Sequence, residues 1–269
     1  MKTLGEDIQK LAMDAGGTWG IVLEDPQTDD IWTWNEEHLF TAASIIKVPI
    51  MVAVFSEFEE RKFNLSDQLT LRREDIVGGS GILQHLSPGM KLTIYDLIVL
   101  MIIQSDNTAT NMLIDFIGKQ KIQQTMKMIG LEKSQFYNKL MTVPVERAGY
   151  NVVTAKEMGR LLKQIAMGKV ISVYACEQMI DIMKKQQIQD SLAGKLPAKE
   201  HELIGGNSEW ELAHKTGMIS RVRHDLGIFY AGKSVLLATI FSKGIHDYES
   251  MLVFQDIGLH ILDYLQAKQ

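Results

Sequence analysis

The first 43 residues combine a helical and an extended hydrophobic pattern. Apolar side chains at helical spacing predict an amphipathic first helix, with one face formed by Leu4, Ile8, Leu11 and Ala15. Two short apolar runs, 19–23 and 31–34, then predict a pair of strands. Residues 25–29 between them contain Asp and Pro and are typical of a turn. This region therefore predicts a helix followed by two strands.

The middle of the chain, from about residue 44 to residue 183, has a mostly helical pattern. A strongly apolar stretch, 97–104, follows Thr93-Ile94-Tyr95-Asp96, which resembles a capping box at a helix start. After residue 207 the pattern becomes extended again and ends in a helix. It predicts three strands and a final helix, over 210–215, 225–231, 235–242 and about 249–266.

This order of elements predicts an α+β fold, with an antiparallel sheet flanked by the N- and C-terminal helices. Two early and three late strands can share one sheet only if the chain returns to it after the helical middle. We therefore expect a single domain over 1–269, with an α/β part formed by 1–43 and 200–269. The remainder, 44–199, is expected to form an inserted all-α lobe. No linker, repeat or low-complexity segment marks a second domain.

Composition and charge narrow the possible functions. The 269 residues are 46% hydrophobic and 23% charged, which allows a sizeable core and argues against disorder. The net charge of −5 leaves no basic excess, so we expect a small-molecule substrate and no nucleic-acid partner. No run approaches the roughly 20 apolar residues of a membrane span. The N-terminus lacks the apolar segment of a signal peptide, so the chain is either cytoplasmic or the mature form of an exported protein.

The chain contains one cysteine, Cys176, which rules out an internal disulfide and a multi-cysteine metal site. Because Cys176 lies in the apolar run 173–183, we expect its thiol to be buried and unreactive. We also expect no metal, no cofactor and a monomeric protein.

Ser44-Ile45-Ile46-Lys47 opens the apolar helical run of the middle region. A spacing of three puts the Ser44 hydroxyl and the Lys47 amine on one helix face. A serine in a first helical turn also lies near unpaired N–H groups and the positive end of the helix dipole, which favour negative charge on a bound carbonyl oxygen. Lys47 could accept the serine proton if burial or a neighbouring cation kept its amine neutral part of the time.

Ser105-Asp106-Asn107 follows the helix over 97–104 and has two interpretations. All three residue types suit a helix stop and an N-cap before a helix over 108–116. In the catalytic interpretation, Ser105 relays a proton and the Asn107 amide binds the substrate.

Lys215-Thr216-Gly217 lies where the strand over 210–215 is expected to end. It could be a strand that stops at a turn glycine. Alternatively, it could be a substrate-facing edge strand on which glycine allows a close approach, with Lys215 and Thr216 binding a carboxylate.

Together and in this order, S-x-x-K, S-D-N and K-T-G resemble the motif set of class A β-lactamases and penicillin-binding proteins. Segments 78–83 and 102–113 and the order of elements are similar to class A enzymes as well, so the resemblance covers nearly the whole chain. It implies a β-lactamase/transpeptidase-like fold. It also implies a serine hydrolase that opens a β-lactam or a related acyl substrate through a covalent acyl-enzyme on Ser44.

The resemblance implies a role for each motif. Ser44 would attack the lactam carbonyl, with its own N–H and that of Met218 as the oxyanion hole. Ser105 would relay a proton to the departing nitrogen, and Asn107 would contact the acylamide of the substrate.

A substrate carboxylate would be held by the motif at 215–217, by resemblance to the same family. Arg223 lies where many relatives place another carboxylate-binding arginine, although Arg221 is close enough to compete for this role.

Three positions depart from the class A pattern. Class A enzymes add a loop glutamate, in E-x-x-L-N, that activates water against the acyl-enzyme. Here Glu146 is the candidate base, yet no L-N follows it and the helix near Thr154 begins only eight residues later, so we expect a short loop. Glu146 could equally be a surface carboxylate paired with Arg147. Met218 is bulkier than is usual after K-T-G, and Pro49 is expected to kink or loosen its helix.

The deacylation step separates the possible functions. With a working glutamate the chain is a β-lactamase, which is the function we expect. Without one, the same motifs could form a slow-deacylating penicillin-binding protein, a D-alanyl-D-alanine peptidase or an esterase. A non-enzymatic alternative is a β-lactam sensor that is acylated once and not released. Glutaminases share much of this scaffold, but no glutamine-specific feature favours one.

Overall fold

The structure, a computed structural model, describes residues 1–141, 149–198 and 209–268. Its central sheet has five strands in the order β2-β1-β9-β8-β7, and every neighbouring pair is antiparallel. The strands are β1 (Thr18–Asp25), β2 (Asp30–Trp34), β7 (Trp210–Ile219), β8 (Val222–Ala231) and β9 (Ser234–Lys243). The predicted α+β fold, with one sheet shared by the two ends of the chain, is confirmed.

Helices cover both faces of this sheet. α1 (Lys2–Ala15) and α8 (Asp247–Gln266) pack on one face, where Trp19 stacks on Phe254 with ring centroids 5.5 Å apart. α6 (Ala155–Ala166) packs on the other face, against β1 and β9. Because both faces are covered, the inner strands are buried along most of their length instead of alternating between buried and exposed positions.

The middle of the chain forms the expected helical region. Its other helices are α2 (Lys47–Glu59), α3 (Ile94–Ile103), α4 (Asn107–Ile117), α5 (Lys119–Met128) and α7 (Val173–Lys184). Two small sheets accompany them and pair β3 (Phe40–Thr41) with β6 (Val152–Val153) and β4 (Gln68–Thr70) with β5 (Lys91–Thr93). The first eleven residues of α2 are all buried, so this helix runs through the centre of the region.

Hydrogen bonding explains where two elements differ from the sequence pattern. α3 begins at Ile94, three residues before the predicted start, because Thr93 and Asp96 form a capping box with bonds of 3.0 and 3.2 Å. β7 continues to Ile219 instead of ending at Lys215, because its pairing with β8 is unbroken as far as Ile219↔Val222.

Pro49, which is expected to kink or loosen its helix, does not interrupt it. It is the third residue of α2, within the first turn, where a backbone N–H has no acceptor inside the α-helix. The missing N–H therefore costs α2 no hydrogen bond, and the helix continues to Glu59.

Two further expectations concern Cys176 and membrane-spanning helices. Cys176 is free and buried in α7, as predicted, and burial raises the pKa of its thiol. Among the described residues, no helix combines the length and the apolar character needed to cross a bilayer.

Candidate active site

Ser44 lies in a short 3₁₀ turn, Ala43–Ile46, that leads directly into α2. Ala43, just before it, has a φ of 44°, in the left-handed region that residues with a Cβ rarely adopt. Ser44 is half-buried, whereas Lys47 is fully buried. The predicted helix start at Ser44 is thus a tighter turn, three residues before the buried Lys47.

The Ser105 hydroxyl lies between two lysine side chains. Its Oγ accepts hydrogen bonds from Lys47 Nζ at 3.0 Å and from Lys215 Nζ at 3.1 Å. Lys47 also donates to the Ser105 carbonyl at 2.5 Å and to Asn107 Oδ1 at 2.9 Å. Ser105 has a φ of 51°, a second left-handed residue at the same site. The three sequence motifs therefore meet around one hydroxyl group.

Burial favours the neutral form of both amines, and repulsion by Lys215 adds to this effect at Lys47. Burial, and then the neighbouring Lys215, hold the pKa of Lys47 well below its ordinary value of 10.5, although Asp106 acts in the opposite direction. Burial lowers the pKa of Lys215 to about 7, and Asp225 opposes this shift. An amine that is easily deprotonated can take a proton from a neighbouring hydroxyl, so the pocket is suited to proton transfer.

Asp106 joins the glycine turn at 78–81 to the start of α4. Its buried carboxylate accepts from the backbone N–H groups of Ile82 at 2.7 Å, Leu83 at 2.8 Å and Ala109 at 2.9 Å. A Cβ on Gly81, whose φ is 109°, would lie 2.3 Å from Asp106 Cγ, so this position requires glycine. The capping interpretation of the motif is confirmed, and the cap holds the flanking Ser105 and Asn107 in place.

Gly217 lets β7 approach the turn that carries Ser44. A Cβ added at Gly217 would lie 3.0 Å from Ile45 Cγ1 and 3.2 Å from the Ser44 backbone nitrogen. Among the strands that the structure describes, β8 is the one neighbour of β7 in the central sheet, and the other edge of β7 faces this turn. The Thr216 carbonyl accepts from Lys215 Nζ at 2.8 Å, which shows that it points toward this free edge. Since backbone groups alternate along an antiparallel strand, the Met218 N–H points to the same edge.

The two arginines after the motif have different environments. Arg223 is buried beside β7, where its guanidinium donates to Ser191 Oγ at 3.0 Å and forms an ion pair with Asp190 at 3.3 Å. Arg221 lies in the turn between β7 and β8 and donates to the Gly244 carbonyl at 2.7 Å. Its guanidinium is thus held by the turn that follows β9.

The buried pair formed by His214 and Asp225, next to Lys215 and Thr216 in the sheet, was not predicted from the sequence. His214 Nδ1 lies 3.0 and 3.1 Å from the two carboxylate oxygens of Asp225, which also accepts from the Leu192 N–H at 3.1 Å. The signal was a charged residue inside the apolar strand 225–231, since a buried carboxylate needs a buried partner. This pair ties the strand that carries Lys215 to its neighbour and to the segment after α7.

The proposed base Glu146 lies outside the described residues, as does Arg147. The segment just before them, at Leu140 and Met141, is held against α4. Both backbone polar groups of Leu140 bond the Asn111 side chain, each at 2.8 Å. A Cβ on Gly79 would lie 2.7 Å from Asn107 Nδ2 and 3.2 Å from Met141 Cγ, so the Met141 side chain lies beside Asn107. Met141 therefore adjoins the pocket, whereas the Leu140 side chain packs against the hydrophobic core.

Residues 1–141, 149–198 and 209–268 contain no candidate metal site. No group of three or more His, Cys, Asp or Glu side chains there could hold a metal ion.

The sequence model of the beta-lactamase enzyme family matches residues 3–265 of this chain. The chain belongs to this family. The resemblance inferred from the three motifs is thereby confirmed, and the membership supports a hydrolase.

Individual family members resemble the chain at moderate identity. A β-lactamase of Rhodobacter capsulatus is 24% identical over 245 residues, which cover 90% of this chain and 80% of the relative. The crystal structure of a β-lactamase from Sphaerobacter thermophilus is 27% identical, with a TM-score of 0.87 and coverage of 98% and 97% of the two chains. A protein named PBP-A is 26% identical, with a TM-score of 0.86 and coverage of 99% and 97%. A leucine-to-glutamate mutant of PBP-A has been solved as an acyl-enzyme complex with penicillin G.

Proposed function

We propose that this chain is a serine β-lactamase of the class A kind, which hydrolyses the β-lactam amide through a covalent acyl-enzyme on Ser44. The observation that carries the proposal is the Ser105 hydroxyl, 3.0 Å from Lys47 Nζ and 3.1 Å from Lys215 Nζ. Acylation must remove a proton from the nucleophile and give one to the lactam nitrogen. A hydroxyl bonded to two amines can pass a proton in either direction.

Lys47 is the proposed base for the first step. It takes the proton of Ser44 Oγ as this oxygen bonds to the lactam carbonyl carbon. The C–N bond of the ring then breaks, and Ser105 gives its proton to the departing nitrogen and recovers one from Lys47. The depressed pKa of Lys47 supports this role, because it makes the neutral, proton-accepting amine easier to reach.

The backbone N–H groups of Ser44 and Met218 are the proposed oxyanion hole. The close approach of Gly217 to the Ser44 nitrogen and the outward direction of the Thr216 carbonyl support it. Such a donor contributes about 3 kcal/mol to transition-state stabilisation.

Substrate binding is assigned to side chains at the rim of the same pocket. Asn107 Nδ2, which bonds the Gly78 carbonyl at 3.1 Å, keeps a second N–H that could bind the acylamide. Thr216 and Lys215 are assigned to the substrate carboxylate, with Arg223 as a further cation. Lys215 is fully buried and gives two of its three donors to Ser105 and Thr216, so it acts on a carboxylate from beneath the surface.

The acylation step is tested by mass spectrometry of the intact protein after addition of penicillin G. Wild type should gain the mass of one penicillin, with the adduct mapped to Ser44, whereas Ser44→Ala should gain none and keep its circular dichroism spectrum. An adduct that persists in Ser44→Ala, or that maps to another serine, would overturn the assignment.

A second candidate function, a slow-deacylating penicillin-binding protein or D-alanyl-D-alanine peptidase, is favoured by one observation. Where the described chain passes the pocket before residue 142, it contributes the side chain of Met141, which cannot activate water. The similarity to PBP-A, and the penicillin G acyl-enzyme of its leucine-to-glutamate mutant, also support this alternative.

The lifetime of the adduct decides between the two functions. If Glu146 is the deacylation base, wild type clears penicillin G within minutes and Glu146→Gln accumulates the acyl-enzyme, because water attack needs a base that acylation does not. If wild type instead keeps its adduct, Met141→Glu should shorten the lifetime by supplying a base beside Asn107. Met141→Gln, of the same size but without a base, is the matched control. Equal release by wild type and Glu146→Gln would show that Glu146 is a surface carboxylate.

A further inference from the structure

The side chain of Met218 lies against the guanidinium of Arg223. The two residues face each other in the register of β7 and β8, so their side chains project from the same face of the sheet. Arg223 Nη2 donates to Met218 Sδ at 3.2 Å. Arg223 is only 4% exposed, whereas Met218 is 53% exposed, so the methionine lies between the guanidinium and solvent.

The remaining donors of Arg223 are held by stronger acceptors on its inner side. Nη1 donates to Ser191 Oγ at 3.0 Å and lies 3.3 Å from the Asp190 carboxylate, and Nε donates to Ser250 Oγ at 3.3 Å. These partners fix the position of the guanidinium. Its outer nitrogen, Nη2, donates to the Met218 thioether instead. A thioether is a weak acceptor, and a carboxylate accepts far more strongly from a guanidinium.

The covered nitrogen is close to the proposed carboxylate site. Thr216 pairs with Asp225, two residues from Arg223 along β8, so Thr216 and Arg223 are diagonal neighbours on one sheet face. Such neighbours are within reach of a long side chain. A carboxylate beside Thr216 at the edge of β7 could therefore bond Arg223 Nη2 if the thioether moved.

We propose that Met218 is a displaceable cover on Arg223 and thereby sets the preference of the site for carboxylate-bearing substrates. The inference rests on the proposed function, in which Thr216 and Arg223 bind the substrate carboxylate. A methionine has three rotatable side-chain bonds, and this one is half exposed, so it can swing aside at small cost. While the Met218 thioether occupies Nη2, Arg223 adds little to substrate binding.

The test uses Met218→Ala with penicillin G, which carries a carboxylate, and its neutral methyl ester. The second-order rate constant of acylation for the acid should rise about tenfold, the equivalent of one charge-assisted hydrogen bond of 1.4 kcal/mol. The ester has no carboxylate for Arg223, so the ratio of the acid rate to the ester rate should rise by the same factor. This ratio cancels any effect of the substitution on the Met218 N–H of the oxyanion hole, which both substrates use. Ile219→Ala is the matched control, because Ile219 is the next residue, is 47% exposed and points to the opposite face of the strand. The double variant Met218→Ala/Arg223→Gln should lose the gain.

Two results would overturn the proposal: an equal change for acid and ester, or no change for either. A separate measurement keeps it distinct from the proposed function. In Ser44→Ala, which cannot be acylated, acetate is titrated while the Arg223 Nε resonance is followed by ¹⁵N NMR. Removal of the Met218 side chain should tighten acetate binding at Arg223 even if no penicillin acylates the chain. Acylation at Ser44 without this tightening would leave the proposed function standing and reject the cover.

Discussion

At the scale of single residues, the two buried lysines should respond to pH in different ways. The pKa of Lys215 is about 7, so its ammonium is present below that pH and is lost above it. The value of kcat/KM for a carboxylate-bearing lactam should therefore fall above about pH 7, while that for a neutral ester should not. Lys47 must be neutral to act as a base, so both substrates should lose rate as acid protonates it. Parallel pH profiles of the two substrates measure the difference.

Substitution of each lysine provides the control for this assignment. Lys215→Ala should lower kcat/KM for the carboxylate-bearing lactam, mainly by raising KM. It should also remove the fall of kcat/KM above pH 7. Lys47→Ala should slow the chemical step for both substrates. If Lys215→Ala impairs acid and ester equally, the amine serves Ser105 alone and its carboxylate role is wrong.

At the scale of elements, sequence patterns predicted the helices and strands better than the way the site is assembled. The caps at Thr93 and Asp106 are local signals, and both segments are predicted as possible helix caps, although α3 begins three residues before its predicted start. The end of β7 was misplaced because Thr216-Gly217 looks like a turn, whereas pairing with β8, a non-local interaction, keeps the strand extended. For the same reason, periodicity could not show that Gly217 packs on the Ser44 nitrogen.

Polar partners across elements were also beyond the reach of local patterns. A lone histidine in a strand does not reveal that Asp225, on the next strand, lies 3.0 Å from His214. Asn111, one turn after Asn107, resembles any polar residue of a helix, yet it holds the backbone of Leu140. The residues that carry chemistry were found by their motif, and those that hold them in place emerged only from the fold.

At the scale of the whole molecule, one buried apolar cluster joins the helical region to the sheet. It includes Ile50 of α2 and Leu161 of α6 together with Val22 and Phe241 of the sheet, all of them buried. We propose, on this basis, that the α/β part and the helical lobe unfold as a single domain. Because this cluster contains residues of both parts, neither part could lose its packing without disrupting the other. A second buried cluster, which includes Ile8, Leu236 and Phe254, joins α1 and α8 to the other face of the same sheet.

The distribution of tryptophan makes this proposal testable. The chain has four tryptophans, and the sheet strands carry all of them, at Trp19, Trp32, Trp34 and Trp210. Tryptophan fluorescence therefore reports on the α/β part, whereas far-UV circular dichroism is dominated by helices, most of which lie in the lobe. The two signals should give the same midpoint and m-value in urea.

A matched pair of cavity variants sharpens the measurement. Leu113, in α4, and Leu236, in β9, are both fully buried, one in the lobe and one in the sheet. Replacing either by alanine should lower the free energy of unfolding by about 2–5 kcal/mol and shift both signals together, because each removes packing from one cooperative unit. If Leu113→Ala shifted the dichroism midpoint and left the tryptophan midpoint unchanged, the lobe would be a separate unit. The assignment of a single domain would then be wrong.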